Sequence, residues 1–316
     1  MFNMVTLAVA EGEYPAFQSW KDEFSAIAPD LDIIWWEDAQ CIPDRVDYLL
    51  VWKPAHGAVA RFRNLKAILC AGAGVDHLLA DPHWPHDVPL VRMGGRETAA
   101  LMEEYVTWAC LSLLRETRTW ARQQERRIFH RRLVTRTAAT TTVGIMGMGH
   151  LGGHVARRLH HFGFKVRGWS RTRREVPGIR SFAGAGELGE FLSQVDILVS
   201  LLPNTAQTRD MIDAALLSRL PRGAMLVNAG RGEQVCEVSL LAALDNGHLA
   251  GAVLDVFREE PLPMASRLWE HPMVTVTPHA ASEASRTEQA AYLAEVIHEI
   301  EHGVPPALLY DAGRGY

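Results

Sequence analysis

The sequence predicts an α/β protein of two doubly wound, parallel-sheet domains with a cleft between them. Three observations indicate this fold class. Short apolar runs alternate with helix-like segments from Val5 onward, a glycine pattern typical of phosphate binding starts at Gly147, and 316 residues exceed one ordinary domain. Because strands that alternate with helices pair in parallel, one α/β unit is expected before Gly147 and another around it.

The predicted strands are short, mostly apolar runs. They are Val5–Val9, Leu31–Trp36, Tyr48–Trp52, Ala67–Cys70, Val143–Met146, Lys165–Trp169, Ile197–Leu201, Ala224–Asn228, Gly251–Val256 and Val274–Thr277. Helical spacing predicts helices over Glu97–Leu114 and Glu283–Ile300. The second helix follows the last strand and can cross back to the first unit. We therefore expect a discontinuous outer, substrate domain at 1–95 and 286–316, and a dinucleotide-binding domain at 96–285.

Composition and charge argue against several classes of protein. A formal net charge of −5 does not suit a surface that neutralises nucleic-acid phosphates. The four cysteines, Cys41, Cys70, Cys110 and Cys236, have no metal-ligand spacing, so neither a metal site nor a disulfide framework is indicated. The N-terminus lacks the features of a secretion signal, and no window approaches the ~18 apolar residues of a membrane span. A cytoplasmic protein without nucleic-acid or membrane partners is expected.

The pattern Gly147-x-Gly149-x-x-Gly152 lies between a strand-like run and the helical spacing of Gly153–Phe162. In this context Gly147 allows a tight turn, Gly149 lets the backbone approach a pyrophosphate, and Gly152 lets the helix pack on the strand. The helix N-terminus then points at the anion. The pattern predicts a Rossmann-like dinucleotide site; the alternative is a glycine-rich turn that merely connects two elements.

The loop after Lys165–Trp169 indicates which dinucleotide is bound. An NAD enzyme carries an acidic residue there for the ribose 2′-hydroxyl. This chain instead has the run Ser170, Arg171, Thr172, Arg173 and Arg174, and the first carboxylate is Glu175. A hydroxyl followed by guanidinium groups suits a 2′-phosphate, so NADPH is preferred over NADH. The alternative is a solvated basic loop.

Three later segments each place a polar group just after an apolar strand: Arg231, Glu260 and His279. The carboxyl ends of parallel strands line the ligand crevice of such a sheet. Reduction of a 2-oxo acid needs a cation for the carboxylate and carbonyl, an acid for the developing alkoxide, and a group that keeps this acid charged. Arginine, histidine and glutamate meet these needs.

These segments and the glycine loop resemble the D-isomer-specific 2-hydroxyacid dehydrogenases, and longer runs resemble the glyoxylate/hydroxypyruvate reductase A branch of that family. The resemblance covers nearly the whole chain. It is carried by Gly72–Asp76, Trp169–Arg173, Leu201–Thr205, Leu254–Phe257 with Glu260-Pro261, and Arg314–Tyr316.

The resemblance implies that Arg231 binds the substrate carboxylate and carbonyl, and that His279 is the general acid in reduction. Glu260 then orients His279, and a hydrogen-bonded carboxylate favours the protonated ring. Backbone amides around Ala73 and Gly74 would hold the substrate carboxylate from the outer domain. Pro203, Asn204 and Asp255 would lie at the nicotinamide side of the cofactor.

Some of these assignments have alternatives. Glu259 is a second carboxylate beside Glu260, and Arg231 could cap a helix. Gly230 stands where relatives more often have alanine, which would loosen the loop. In the helix Glu97–Leu114, residues near 3.6-residue spacing are expected to serve in packing rather than substrate recognition: Met102, Tyr105, Trp108 and Ala109.

Further expectations concern neighbouring surfaces. By resemblance, the helix Glu97–Leu114 and the arginine-rich segment Arg115–Arg136 form a two-fold homodimer interface, the alternative being a solvated helical face. Trp52 and Lys53 are candidates to border the substrate.

Competing functions share the architecture or the cofactor. Phosphite, formate and phosphoglycerate oxidation are alternatives within the family. Formate enzymes carry glutamine at the position of Glu260, and phosphoglycerate enzymes commonly add a regulatory domain for which this chain has no room. A dinucleotide-sensing interaction protein without turnover is the alternative from another class, but the complete arginine, glutamate and histidine set favours an enzyme.

Overall fold

A computed structural model describes residues 4–131 and 133–315, so Arg132 and Tyr316 of the sequence analysis lie outside the described residues. The chain divides into two units. The first comprises Met1–Thr98 and Ala284–Tyr316, and the second comprises Ala99–Glu283. Each unit has its own parallel sheet and its own hydrophobic core.

The first unit is a five-stranded parallel sheet in the order β2-β1-β3-β4-β5. Its strands are β1 (Val5–Ala10), β2 (Leu31–Trp35), β3 (Tyr48–Val51), β4 (Ala67–Cys70) and β5 (Leu90–Val91), and its helices are α1 (Tyr14–Ile27), the single turn α2 (Asp76–Leu79) and α9 (Arg286–Glu301). Strands β3 and β4 are buried along their whole length, which explains their continuous apolar sequences. Side chains of α1 and α9 cover one sheet face.

The second unit is a seven-stranded parallel sheet in the order β12-β11-β10-β9-β6-β7-β8. Its strands are β6 (Thr142–Met146), β7 (Lys165–Ser170), β8 (Arg180–Ala183), β9 (Ile197–Ser200), β10 (Ala224–Asn228), β11 (Leu249–Leu254) and β12 (Val274–Val276). Its helices are α3 (Arg96–Leu114, whose first residues belong to the first unit), α4 (Thr117–Glu125), α5 (His150–Phe162), α6 (Gly184–Leu192), α7 (Ala214–Leu217) and α8 (Glu237–Asp245). No helix in the described ranges has the length and apolar character needed to cross a bilayer.

These two parallel sheets confirm the predicted fold class, and the observed strand ends differ from the predicted ones by at most about two residues. Two strands escaped prediction: β5 has only two residues, and the edge strand β8 is half polar. The helix predicted from Glu283 begins instead at Arg286, because the Ser285 hydroxyl accepts the amide of Glu288 and caps it there.

One row of register partners aligns the ends of six strands in the second sheet. Val276, Leu254, Asn228, Ser200, Met146 and Trp169 are successive partners across β12, β11, β10, β9, β6 and β7. Because the sheet is parallel, the loops that follow these residues all leave from the same edge. This edge carries the glycine turn, the basic loop and the three polar segments singled out in the sequence.

Candidate active site

The turn after β6 has the geometry of a phosphate loop. Gly147 has a φ of 99°, and a Cβ there would lie 2.5 Å from the carbonyl oxygen of Leu201. A Cβ at Gly152 would lie 1.9 Å from the carbonyl oxygen of Gly147, so a side chain here would push α5 off the turn. At Gly149, just before α5, a Cβ would meet nothing within 4 Å. The N-terminal end of α5 is therefore open to an anion such as a pyrophosphate.

The loop after β7 contains the residues predicted to select the cofactor. The Ser170 hydroxyl donates to the carbonyl oxygen of Thr172 at 2.7 Å, which folds the loop back on itself. The Arg173 guanidinium donates to the carbonyl oxygen of Ser181 and to the Glu187 carboxylate, both at 2.5 Å. Arg171 is exposed. The protein itself thus holds the Arg173 guanidinium through two acceptors.

Arg231 lies in the turn after β10, and the buried side chain of Asn228 shapes that turn. The Asn228 amide donates to the carbonyl oxygen of Arg231 at 3.0 Å and accepts the Gly230 N–H at 3.2 Å. The Arg231 guanidinium donates to the carbonyl oxygen of Gly230 at 2.9 Å. Arg231 precedes the short 3₁₀ helix Gly232–Gln234, but its side chain makes no capping hydrogen bond there. The Arg231 side chain therefore does not cap this helix, which was the alternative role considered for it.

A buried amide that the sequence analysis did not single out fixes the neighbouring loop. Gln234 is fully buried; its Oε1 accepts the Ser200 hydroxyl at 2.7 Å, and its Nε2 donates to the carbonyl oxygens of Leu202 at 2.5 Å and Pro203 at 3.2 Å. A Cβ at Gly230 would lie 2.7 Å from Oε1 of Gln234. The glycine therefore leaves the space that the Gln234 amide fills. No local motif signals this pair.

Glu260 and His279 are brought together from the loops after β11 and β12. Nδ1 of His279 lies 2.7 Å from Oε2 of Glu260, and Oε1 of Glu260 accepts the N–H of Phe257 at 2.9 Å. The His279 side chain is 44% exposed and that of Glu260 35%. The carboxylate thus occupies Nδ1 and sets the ring so that Nε2 is the nitrogen directed away from it.

Asp255, which is 1% exposed, holds the loop that carries His279. Its Oδ1 accepts the Thr277 hydroxyl at 2.6 Å and the Ala280 N–H at 2.9 Å, and its Oδ2 accepts the Ala281 N–H at 2.9 Å. Its backbone carbonyl accepts the N–H of His279 at 2.9 Å. Three polar groups of this segment therefore converge on one buried carboxylate.

The predicted cofactor contacts Pro203 and Asn204 follow β9 at the same edge. The carbonyl oxygen of Pro203 accepts the Thr208 hydroxyl at 2.6 Å, in addition to the Gln234 amide. Both residues are half-buried. The loop is thus held in place by hydrogen bonds on its protein side.

Ala73 and Gly74 belong to the first unit, unlike the residues above. They lie in the half-buried loop after β4, where the Gly72 carbonyl accepts the N–H of Met93 at 3.0 Å. The Trp52 ring occupies the space of a Gly72 side chain, since a Cβ there would lie 2.1 Å from it. His77 binds the carbonyl oxygen of Trp52 at 2.5 Å. Within this unit, Trp52 therefore lies against the loop of Ala73, and Lys53 lies over the Trp52 ring.

The described residues contain no group of three or more histidine, cysteine, aspartate or glutamate side chains that could hold a metal ion. All four cysteines are described, and each is a free thiol. The side chains singled out at this edge are the guanidinium of Arg231, the carboxylate of Glu260 and the imidazole of His279.

Comparisons with known proteins show which family the chain is similar to. Residues 107–281 match the family model of the D-isomer specific 2-hydroxyacid dehydrogenase, NAD binding domain. A D-isomer specific 2-hydroxyacid dehydrogenase from Xanthobacter autotrophicus Py2, solved with NADPH and MES, is 40% identical, with a TM-score of 0.93 over 99% of this chain and 100% of that one.

Two further solved structures give the same result. The NADPH-dependent glyoxylate/hydroxypyruvate reductase of Sinorhizobium meliloti, solved with NADP and sulfate, is 38% identical, with a TM-score of 0.89 over 99% of this chain and all of that one. A probable 2-hydroxyacid dehydrogenase from Rhizobium etli CFN 42, solved with NADP, HEPES and L(+)-tartaric acid, is 34% identical, with a TM-score of 0.90 and the same coverage.

The fold and these similarities define a dinucleotide-dependent dehydrogenase. With the match to more than half of the chain and these full-length similarities, the chain belongs to the D-isomer specific 2-hydroxyacid dehydrogenase family. The family resemblance predicted from the sequence is thereby confirmed.

Proposed function

We propose that this protein reduces small 2-oxo acids, glyoxylate to glycolate and hydroxypyruvate to glycerate, with NADPH as the reductant. The observation that carries the proposal is the 2.7 Å contact between Glu260 and His279, in loops that leave the same sheet edge as Arg231 and the Gly147 turn. When bound, the reduced nicotinamide supplies a hydride to the carbonyl carbon. The similarity to the Sinorhizobium meliloti reductase supports this choice of substrates.

In this mechanism three side chains have separate roles. The Arg231 guanidinium binds the substrate carboxylate and polarises its carbonyl. His279 donates a proton from Nε2 to the alkoxide oxygen as it forms, and takes one back in the oxidative direction. Glu260 keeps the proton of Nδ1 directed at itself and stabilises the positive ring that exists before proton donation. Ala73 and Gly74 are proposed as further substrate-binding residues, which act through their backbone amides.

The cofactor is proposed to bind along the carboxyl edge of β6, β7 and β9. The turn Gly147, Gly149 and Gly152 receives the pyrophosphate, while Ser170, Arg171 and Thr172 bind the 2′-phosphate. The main role of Arg173 is to support this loop through Glu187 and not to bind the phosphate, because its guanidinium already donates to two acceptors of the protein. Pro203, Asn204 and Asp255 lie at the nicotinamide side. The NADPH and NADP complexes of the relatives support this cofactor choice.

An oxo-acid panel assayed with both reduced cofactors tests the proposal through the loss of reduced-nicotinamide absorbance. We expect turnover of glyoxylate and hydroxypyruvate, faster with NADPH. His279→Ala should lose nearly all turnover and keep NADPH binding, measured by calorimetry. Full activity in this variant would contradict the role of His279 as general acid. Phosphite oxidation with NADP⁺ in the absence of oxo-acid reduction would replace the proposal with another activity of the family.

We also propose that the active form is a cytoplasmic homodimer. Helices α3 and α4 border an open groove of about 610 Å³, lined by Trp108, Trp120, Arg115 and neighbours. Trp108, placed by its spacing among the packing residues of the helix, is 45% exposed, and the nearby Phe129 and Leu133 are 104% and 82% exposed. Apolar surface of this kind is typical of an interface. Leu133→Asp should yield monomers in sedimentation analysis; monomeric wild-type protein would contradict the proposal.

A further inference from the structure

A chain of hydrogen bonds runs from helix α3 to the loop of His279. The hydroxyl of Tyr105 lies 2.6 Å from Oγ1 of Thr277, and Thr277 lies 2.6 Å from Oδ1 of Asp255. The direction of each bond follows from chemistry. An ionised carboxylate only accepts, so Thr277 donates to Asp255, and Tyr105 must then donate to Thr277. Every proton in the chain points toward the buried carboxylate.

The segment that this chain fixes has an unusual backbone. His279 has a φ of 54°, in the left-handed region, which non-glycine residues adopt rarely and at a cost in free energy. The N–H groups of Ala280 and Ala281 bind the two oxygens of Asp255, and the N–H of His279 binds its carbonyl oxygen. The conformation at His279 is therefore maintained by Asp255, whose own orientation depends on Thr277.

The Tyr105 hydroxyl is well suited to this task. Tyr105 is half-buried beside the apolar core of the second unit, and burial raises the pKa of its phenol above the ordinary value. The hydroxyl thus stays protonated as a donor at every pH at which a dehydrogenase works. Without the Tyr105 hydroxyl, the half-buried Thr277 oxygen would lose the donor of its hydrogen bond.

We propose that Tyr105 is a positioning residue for the reaction, which acts through Thr277 and Asp255 to hold His279 in its working conformation. The inference rests on the proposed function, in which His279 donates the proton. Tyr105 touches neither substrate nor reacting atoms in this scheme. Its effect should appear in the proton-transfer step, because a small displacement of an acid from its target costs rate more than binding.

Steady-state kinetics of Tyr105→Phe test this role. The variant removes one oxygen and keeps the ring in place. We expect kcat for glyoxylate to fall about tenfold, with KM and the NADPH dissociation constant within about twofold of wild type. A purely structural role would lower the melting temperature and leave kcat and its pH profile unchanged.

Substitutions at Thr277 provide matched controls. Thr277→Val removes the hydroxyl and should lower kcat at least as much as Tyr105→Phe, whereas Thr277→Ser keeps it and should restore most of the activity. Thr275→Val makes the same change two residues earlier, in β12, at a half-exposed threonine for which the described residues show no side-chain hydrogen bond, and should have little effect. Tyr105→Phe in the Thr277→Val background should add little, since both act in one chain.

A spectroscopic measurement separates failure of this proposal from failure of the proposed function. The ¹⁵N ring signals of His279, assigned by their loss in His279→Asn, should shift in Tyr105→Phe and should not move in Thr275→Val. This NMR measurement does not require the enzyme to turn over. Unchanged ring signals, or wild-type kcat in Tyr105→Phe, overturn the positioning role; an inactive wild type with shifted ring signals overturns only the proposed function.

Discussion

Glu260 faces His279 with only one of its two carboxylate oxygens, because the other oxygen accepts the N–H of Phe257 at 2.9 Å. This division matters chemically, since an amide in place of the carboxylate offers a single acceptor oxygen. Both Glu260 and the adjacent Glu259 are exposed, but among the described contacts only Glu260 binds His279.

Glu260→Gln should therefore lower kcat by about two to three orders of magnitude. If the glutamine oxygen stays with the Phe257 amide, its NH₂ group turns to Nδ1 of His279. The ring must then accept at Nδ1, and the positively charged form loses its counter-charge. Stopped-flow measurement of the hydride-transfer step checks this prediction.

The matched control is Glu259→Gln, which removes the adjacent charge. It should keep kcat near the wild-type value. The assignment of the orienting carboxylate would be reversed if Glu259→Gln were the defective variant and Glu260→Gln the active one.

The basic loop predicts different effects for its arginines. Arg171→Ala should weaken NADPH binding about tenfold or more and change NADH binding little, because it removes a charge-assisted hydrogen bond to the 2′-phosphate. Arg173→Ala should weaken both cofactors by a smaller and similar factor, since Arg173 supports the loop through Glu187. Fluorescence titration with each cofactor measures these constants.

Glu187→Gln provides the control for this prediction, because it breaks the ion pair without removing any arginine. If Arg173 only supports the loop, Glu187→Gln should resemble Arg173→Ala. Tighter NADPH binding in Glu187→Gln would show instead that a released Arg173 binds the phosphate.

The sequence predicted those parts of the fold and site that depend on local pattern. Continuous apolar runs such as Ala67–Cys70 identified the buried strands, and the glycine spacing identified the turn at Gly147. The sequence could not predict contacts between segments that are distant along the chain, because these contacts depend on the tertiary fold. The partner of Arg173 is fourteen residues further along, on α6. Tyr105 was assigned to packing because helical spacing describes which face a side chain occupies and not where its hydroxyl points.

Two adjacent glycines of α5 allow a matched test of the phosphate loop. Gly152→Ala places a Cβ 1.9 Å from the Gly147 carbonyl oxygen, so the helix must move away and dinucleotide affinity should fall sharply. At Gly153 the nearest atom to a new Cβ is Nη1 of Arg157 at 3.7 Å, so Gly153→Ala should be tolerated and gain about 0.5–1 kcal/mol of stability. Calorimetry with NADPH and thermal unfolding measure both effects. Equal affinity in the two variants would contradict the turn geometry.

A polar cluster in the first unit predicts a pH-dependent stability. The buried Tyr48 donates to Oε1 of Glu301 at 2.6 Å, and Nζ of Lys66 lies 2.7 Å from the same oxygen. Burial alone would raise the pKa of Glu301, but the hydrogen bonds from Lys66 and Tyr48 hold it below its usual range. Burial alone would lower the pKa of Lys66, but the hydrogen bonds that Lys66 donates to Glu301 and Asp47 hold it above its usual range.

The signs of these two pKa shifts define the pH range over which the cluster stabilises the fold. The Glu301 contribution is full above its unfolded-state pKa and is lost as the pH falls through the lowered folded value. The Lys66 contribution is full below its unfolded-state pKa and is lost as the pH rises through the raised folded value. Tyr48→Phe should lower the free energy of unfolding by about 1 kcal/mol at neutral pH and by less in acid.

Urea titrations across pH measure this difference. Tyr14→Phe, whose ring is 58% exposed, is the control and should leave stability unchanged. A Tyr48→Phe loss that stayed constant down to strongly acidic pH would contradict the link to the Glu301 charge.

The Gly230 and Gln234 pair has a consequence for how this chain can change over time. A methyl group at position 230 collides with the Gln234 amide, and a shorter or apolar residue at 234 strands the Ser200 hydroxyl and leaves a hole above the glycine. Replacing Gln234 would not make room for that methyl group, because a Cβ at position 230 would also lie 2.9 Å from the carbonyl oxygen of Leu202. A side chain at position 230 therefore has to displace the backbone that leads to Pro203 as well as the Gln234 amide.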